Sequence, residues 1–131
     1  MATITMTPNQ ILRAYNAARE LSKIVLPYKA ARPVVQLKRQ LEDEFHTIVG
    51  MEDALLQEFS GKKEQNGQFR FPDNETAEAF LEKYNSAMEE PADIQFNRVD
   101  LSRYTDAIKI SPASVDELDG IVVFEAQTDG R

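Results

Sequence analysis

The first forty residues carry apolar positions at helical spacing, behind a clear helix start. In "TMTPNQIL", Thr7 is placed as an N-cap, Pro8 at the first helical position, and Gln10 completes a capping box. The helix is predicted to stop at Leu26, because a residue before proline avoids helical geometry. Before it, "ATIT" alternates weakly and fits a short strand. The predicted apolar face consists of Ile11, Tyr15, Ala18 and Val25, flanked by Leu12 and Leu21.

A second, longer amphipathic pattern follows the "LPY" break. At 100° per residue its apolar positions fall within an arc of about 80°. Near the start of this predicted helix, Pro33 lacks an amide donor. Gly50 and Glu52 weaken the middle of the helix, so a kink or restart is expected near Gly50. The short connection predicts an antiparallel helical hairpin over about residues 8–60. The arc consists of Val34, Leu37, Leu41, Phe45, Ile48, Leu55 and Phe59.

The remainder of the chain predicts short strands around a third amphipathic helix. "QNGQFRFP" contains an Asn-Gly turn followed by alternating aromatics, and "PDNETAEAFLEKYNSAMEEP" is a helix capped by Asp73 or Asn74. "ADIQFNRVDL" alternates but changes phase at Asn97 or Arg98, which indicates a break. "AIKI" offers one more strand. We therefore expect a single α+β domain over residues 1–131: the hairpin, the third helix and a few short antiparallel strands, with the strand–helix–strand part at about 66–124.

The stretch "ISPASVDELDG" could be a catalytic loop or a short capped helix. Ser111 before Pro112 is the usual helix-starting pair, and Gly120 suits a helix end. A serine nucleophile needs a base, and the only histidine in the chain is His46. The pattern therefore favours the capped helix. The following "IVVFE", residues 121–125, fits either a last strand or a continuation of this helix.

Composition narrows the class of protein. Hydrophobic residues make up 42% and charged residues 28% of 131 residues, as in ordinary soluble domains. There is no cysteine, hence no disulfide, and no apolar run approaches the ~20 residues of a membrane span. The N-terminus has no secretory-signal pattern. A cytoplasmic protein that does not bind membranes is expected.

Charge is distributed unevenly along the chain. Residues 1–71 contain ten Lys or Arg and eight Asp or Glu, a net of +2, whereas residues 72–131 contain five and fourteen, a net of −9. The basic part could face the acidic part within one fold or a dimer, or each could face a charged partner. The third helix and its ends form the candidate partner-binding acidic face: Asp73, Glu75, Glu78, Glu82, Glu89 and Glu90.

Candidate chemistry is sparse. "EDEFH" places Glu42 and Asp43 near His46, but helical metal sites of this kind need a second such motif, so no metal site is expected. Phosphate-binding and dinucleotide motifs are missing from the sequence. The basic residues form no stripe with interleaved aromatics, and the pI near 4.7 disfavours nucleic-acid binding. We expect no catalytic residues, no cofactor and no enzymatic activity.

Four stretches carry a resemblance to a known family. They are "LPYKAARPVVQLKRQLEDEF", "GQFRF", "DIQFNRVDL" and "IKISPASVDEL". In their order and element types they resemble a family of small uncharacterised proteins of tailed bacteriophages and prophages, over roughly residues 20–118. Pro33 and the tail after Leu118 depart from that pattern. The resemblance implies a phage context and carries over no functional residues, since the family has no established activity.

These observations lead to two functional expectations. The first is a non-enzymatic phage or prophage protein, cytoplasmic in the host cell, that acts by protein–protein contact on a host or defence factor. It would use the helical hairpin or the acidic third helix, with a homo-oligomer left open. The alternative is a structural or assembly component of the virion.

Overall fold

The computed structural model describes residues 2–104, 106 and 108–124. It is a mixed α and β structure in which the two N-terminal helices pack together as a hairpin. The elements in chain order are β1 (Ala2–Met6), α1 (Pro8–Leu21), α2 (Tyr28–Glu58), β2 (Lys62–Lys63), β3 (Phe69–Arg70), α3 (Asn74–Met88), β4 (Ala92–Phe96), β5 (Val99–Asp100), a 3₁₀ turn (Ser102–Tyr104), α4 (Pro112–Glu117) and β6 (Val122–Val123).

Helix α1 begins as the sequence predicts and ends earlier. The Thr7 hydroxyl accepts the Gln10 amide N–H at 3.2 Å, and the Gln10 side chain accepts the Thr7 amide N–H at 2.8 Å, so the capping box is confirmed. The predicted end at Leu26 is wrong, because α1 stops at Leu21. The hydroxyl of Ser22 donates to the Arg19 carbonyl, which occupies one of the acceptors that a further turn would use.

Helix α2 runs without interruption for 31 residues, about 46 Å. The restart expected near Gly50 does not occur, and Gly50 is exposed with no atom near its missing side chain. Ile48 and Leu55 are buried on either side of it, so packing holds the helix together across its weakest residue. Pro33 is also accommodated within the helix.

The strands form three separate pairs. β1 pairs antiparallel with β4, with Ile4 opposite Ile94, which confirms the strand predicted at "ATIT". β2 and β3 form a small antiparallel hairpin around Gly67, whose φ of +85° suits glycine. β5 and β6 pair in parallel, so one pair departs from the expected antiparallel pattern.

The C-terminal elements settle two open questions. Residues 108–110 of "AIKI" are not a strand, while residue 107 lies outside the described residues. Helix α4 ends at Glu117, and Gly120 adopts a φ of +83°, a conformation that a continuing helix cannot use. Val122 and Val123 then pair with β5, so this part of "IVVFE" is a strand; Glu125 lies outside the described residues.

Two apolar clusters hold the elements together. The larger one joins α1 and α2 to α4 and the strands, and includes the fully buried Leu21, Leu41 and Leu118. The smaller one seats α3 on the C-terminal end of α2, where Leu55 and Leu56 meet Phe80. Aromatic rings surround Phe80, with the Phe71, Tyr84 and Phe69 centroids at 4.8, 5.4 and 5.5 Å. Helix α3 is therefore fixed at one end of α2.

The different burial of Leu41 and Phe45 on α2 predicts that truncating them lowers the free energy of unfolding by different amounts. Leu41→Ala should lower the free energy of unfolding by about 2–5 kcal/mol, because Leu41 is fully buried. Phe45→Ala should cost less, since Phe45 is half-buried and stacks on Tyr15 at 5.1 Å. Urea denaturation of both variants measures the difference. An unchanged midpoint for Leu41→Ala would contradict the packing of α1 on α2.

Candidate interaction surfaces

The structure brings three of the six predicted acidic residues onto one exposed side of α3. Glu75, Glu78 and Glu82 follow one another at helical spacing and are exposed. Glu89 lies at the C-cap, Glu90 beyond the helix, and both are exposed. Within the described residues, none of the side chains of Glu75, Glu78 and Glu82 has a hydrogen bond or ion pair. Their negative charge is therefore uncompensated locally.

Asp73, assigned to the acidic face from the sequence, is the N-cap of α3, which was one of the two capping residues predicted. Its carboxylate accepts the Thr76 amide N–H at 2.7 Å. Hydrogen bonding from Thr76 lowers the pKa of Asp73 below its ordinary value. The Asp73 carboxylate is therefore engaged in starting the helix rather than free for a partner.

An exposed apolar residue lies beside these glutamates. Leu81 is 50% exposed and sits three residues after Glu78. On the other side of the helix, Lys83 pairs with Glu58 of α2 at 2.8 Å. We call Glu75, Glu78, Leu81 and Glu82 the α3 acidic face.

A second surface lies on α2, and sequence analysis did not identify it. Tyr28 is 78% exposed and Val35 is 37% exposed. Arg32 lies between them in the helix, Arg39 follows Val35, and both arginines are exposed. Their spacing places all four on one side of the helix. The side chains of Arg32 and Arg39 make no hydrogen bond or ion pair in the described part of the chain. We call Tyr28, Arg32, Val35 and Arg39 the α2 stripe.

The hairpin connection continues this basic, partly apolar region. Val25, predicted to lie on the apolar face of the first helix, is instead 92% exposed beyond the end of α1. From residue 21 to residue 41 the chain has five Lys or Arg and no Asp or Glu. The described residues contain four large exposed hydrophobic side chains. Three of them lie in this segment, whose charged residues are all basic: Val25, Tyr28 and Val35.

An open groove lies between α1 and α2. Its volume is about 610 Å³. Tyr15 and Phe45 stack at its wall, and the Arg19 guanidinium lies 5.7 Å from the centre of the Tyr15 ring. We call it the hairpin groove; it is lined by Leu12, Tyr15, Asn16, Arg19, Lys38, Glu42 and Phe45.

The α2 stripe and the α3 acidic face are far apart. Val35 precedes Leu55, where α3 packs, by twenty residues, or about 30 Å of helix. At 100° per residue, these two positions also point about 160° apart around α2. Because the Debye length is ~8–10 Å at ordinary salt, the two charged surfaces do not neutralise each other. Among the residues that the structure describes, pairing of the basic part with the acidic part within one chain consists of isolated contacts such as Arg13 with Glu117 at 3.2 Å.

The serines of "ISPASVDELDG" bind a glutamate from α1. The Ser111 hydroxyl accepts the Ser114 amide N–H at 3.2 Å and caps α4, as predicted. Glu20 accepts the Ser111 amide N–H at 3.1 Å and the buried Ser114 hydroxyl at 2.5 Å. These bonds, first that from Ser114, lower the pKa of Glu20. The cluster fastens α4 to α1.

His46 lies on the exposed side of α2. Its Nε2 is 3.7 Å from a carboxylate oxygen of Glu42, one helical turn earlier. Within the described ranges, no group of three or more His, Cys, Asp or Glu side chains is arranged to hold a metal ion. The Glu42–His46 pair is therefore a contact within one helix face.

Comparison with protein-family models, with curated proteins and with solved structures finds no match to this chain. No helix in the part of the chain that the structure describes has the length and apolarity to cross a membrane.

The pKa of Glu20 predicts how the α1–α4 contact responds to acid. A carboxyl group whose pKa is lowered on folding stabilises the fold above its ordinary value of 4.5. That stabilisation is lost as the pH falls through the lower, folded value. Glu20→Gln should therefore flatten the loss of stability below about pH 4.5, measured by urea denaturation across pH.

Glu78→Gln is the matched control, because Glu78 is exposed and makes no side-chain bond among the described residues. Its pH profile should follow that of the wild type. Identical acid profiles for Glu20→Gln and wild type would show that Glu20 does not fasten α4.

Proposed function

We propose that this chain is a non-enzymatic phage or prophage protein that acts by protein–protein contact, with a host or defence factor as its target. The phage context rests on the resemblance over residues 20–118. One observation carries the contact function: all four large exposed hydrophobic side chains of the described residues lie on the basic hairpin or the α3 acidic face.

Singly scattered apolar residues are normal on a protein surface. Here Val25, Tyr28 and Val35 lie among cations, and Leu81 lies beside carboxylates, that have no ion-pair partner among the residues that the structure describes. Apolar anchors surrounded by charge are the composition of a recognition surface, in which charge guides the encounter and apolar burial holds the complex. Tyrosine and arginine are also the residues most enriched at interface hot spots.

The arrangement of the polar groups also favours contact over catalysis. The Ser111 hydroxyl donates to the Ser114 hydroxyl, which donates to Glu20, and Ser114 is buried against α1. His46, the one candidate base of the histidine type, lies on α2 next to Glu42. A serine nucleophile would need a base within hydrogen-bonding reach and an open side for substrate. These groups are better explained as structural.

A virion structural or assembly component is the second candidate. The α2 stripe and the α3 acidic face point to different sides of α2 and lie about 30 Å apart. A subunit with two opposite-facing contact surfaces suits an assembly in which each copy touches more than one neighbour.

Partner binding should depend on the glutamates of the α3 acidic face. We expect Glu75→Gln, Glu78→Gln and Glu82→Gln together to reduce a captured partner about tenfold, because rim charges set the association rate. The fold should survive, since exposed charges contribute little to stability. Affinity capture from a lysate of phage-infected bacteria, read by quantitative mass spectrometry, measures the difference between the two baits.

The control bait carries Asp53→Asn, Asp116→Asn and Asp119→Asn. It removes the same number of charges from exposed positions outside α3. It should capture as much partner as the wild type, and ~0.5 M salt should weaken capture by the wild type. Equal capture by all three baits, at low and high salt, would contradict a role for the α3 acidic face.

A further inference from the structure

We infer that the α2 stripe is a docking surface for the α3 acidic face of a second copy of this chain. The inference rests on the proposed contact function and names one partner for its two surfaces. A second copy is chosen as the partner because the two helix faces carry opposite charges and because they lie too far apart to meet within one chain.

The two faces carry opposite charges, each beside an exposed apolar side chain. On α2, exposed Val35 is preceded by Arg32 at three residues and followed by Arg39 at four. On α3, exposed Leu81 is preceded by Glu78 at three residues and followed directly by Glu82. Residues three or four apart share one side of a helix, so Arg32, Val35 and Arg39 lie together on α2, and Glu75, Glu78 and Glu82 lie together on α3 with Leu81 beside Glu78. Packing the two helices along their length therefore places Leu81 against Val35, with glutamates beside arginines.

The stripe also offers more apolar surface than one valine. Tyr28 lies two turns before Val35 on the same side of α2 and is 78% exposed. A docked helix would cover both side chains, and such apolar anchors supply most of the binding energy of a helix in an apolar groove or on an apolar face. Lys38, at the hairpin groove beside the stripe, adds a further cation for the incoming helix.

The contact has to form between copies rather than within one. The stripe and the seat of α3 are separated by about 30 Å along α2 and by about 160° around it. Both faces belong to helices fixed by buried clusters, through Leu37 and Leu41 for the stripe and through Phe80 for α3. Neither face can reach the other in the same copy.

The opposed directions also determine the form of the assembly. When the α3 acidic face of one copy occupies the stripe of the next, the first copy keeps a free stripe and the second keeps a free α3 acidic face. Such a heterologous contact repeats and gives head-to-tail chains or rings rather than a symmetric dimer. The wild type should therefore form species larger than dimers as its concentration rises.

Sedimentation velocity at ~0.05 M salt, with protein up to ~1 mM, tests this with two charge-reversal variants. One carries Arg32→Glu and Arg39→Glu, and the other carries Glu78→Lys and Glu82→Lys. Each should weaken self-association at least about tenfold, because like charges then face each other. An equimolar mixture should recover self-association, because the unaltered α3 face of one variant meets the unaltered stripe of the other, and the reversed stripe and the reversed α3 face again carry opposite charges.

Matched controls reverse the same number of charges elsewhere. Lys62→Glu with Lys109→Glu, and Asp53→Lys with Asp119→Lys, change exposed residues outside both faces and should associate as the wild type does. Circular dichroism and urea midpoints verify folding of every variant. If a reversal variant fails to fold, the neutral pairs Arg32→Gln with Arg39→Gln and Glu78→Gln with Glu82→Gln take its place, with smaller losses expected in the same direction.

A wild type that stays monomeric across this range overturns the inference, as does a closed dimer. It is also overturned if both variants associate like the wild type, or if their mixture stays monomeric. These results are separable from failure of the proposed contact function. If the chain is monomeric but a lysate partner still depends on the α3 acidic face, only the self-association is wrong. If the chain self-associates but no such partner is found, only the proposed contact with a host or defence factor is wrong.

Discussion

Close packing against the small side chains of α1 is the contact on which the other elements depend. Ala14, Ala17 and Ala18 are 0–3% exposed, and Leu21 ends the helix fully buried. Alanine restricts the approach of a neighbouring helix very little, and the distance between packed helices follows the side chains at the contact. Helix α1 therefore accepts α2 on one side and α4 on another. Glu20 and Arg13 fasten α4 from the rim of this contact.

Fixing α1 in this way leaves α2 free to extend beyond it. The core side of α2 is buried from Ala30 to Leu56, first against α1 and then against α3. One long helix thus joins the basic hairpin to the seat of the acidic helix. Because burial on one side sets the orientation of α2, it also sets the direction of the stripe on the opposite side. The positions of both charged surfaces are consequences of core packing.

Much of this fold is readable from local sequence patterns. Thr7, Pro8 and Gln10 specify the start of α1, and Ser111 with Pro112 specifies that of α4, because capping depends on neighbouring residues alone. The end of α1 was not readable, since Ile24 and Val25 keep the apolar pattern while their backbone leaves the helix. The parallel pairing of β5 with β6 depends on residues far apart in sequence, which no local pattern encodes.

The two candidate surfaces also differ in how far the sequence predicted them. The glutamates of α3 were readable because they cluster on one predicted helix and its ends, whereas choosing Asp73 over Asn74 as the cap required knowing which residue begins the helix. The α2 stripe was missed because Tyr28 and Val35 lie outside the arc of apolar residues by which the sequence marks the core side of α2. The available signal was their angle: at 100° per residue both lie opposite the arc of Val34, Leu37 and Leu41. Sequence periodicity locates a core arc well and says little about apolar residues outside it.

Recognition between the α2 stripe and the α3 acidic face of different copies is tested most directly by residue-level NMR. Amide spectra of the wild-type chain, recorded over a series of dilutions at low salt, report which residues change environment on self-association. We expect chemical-shift changes confined to residues 28–39 of α2 and residues 75–85 of α3, which disappear in high salt. Spectra that do not change with concentration, or shifts centred on other elements such as β1 and β4, would contradict it.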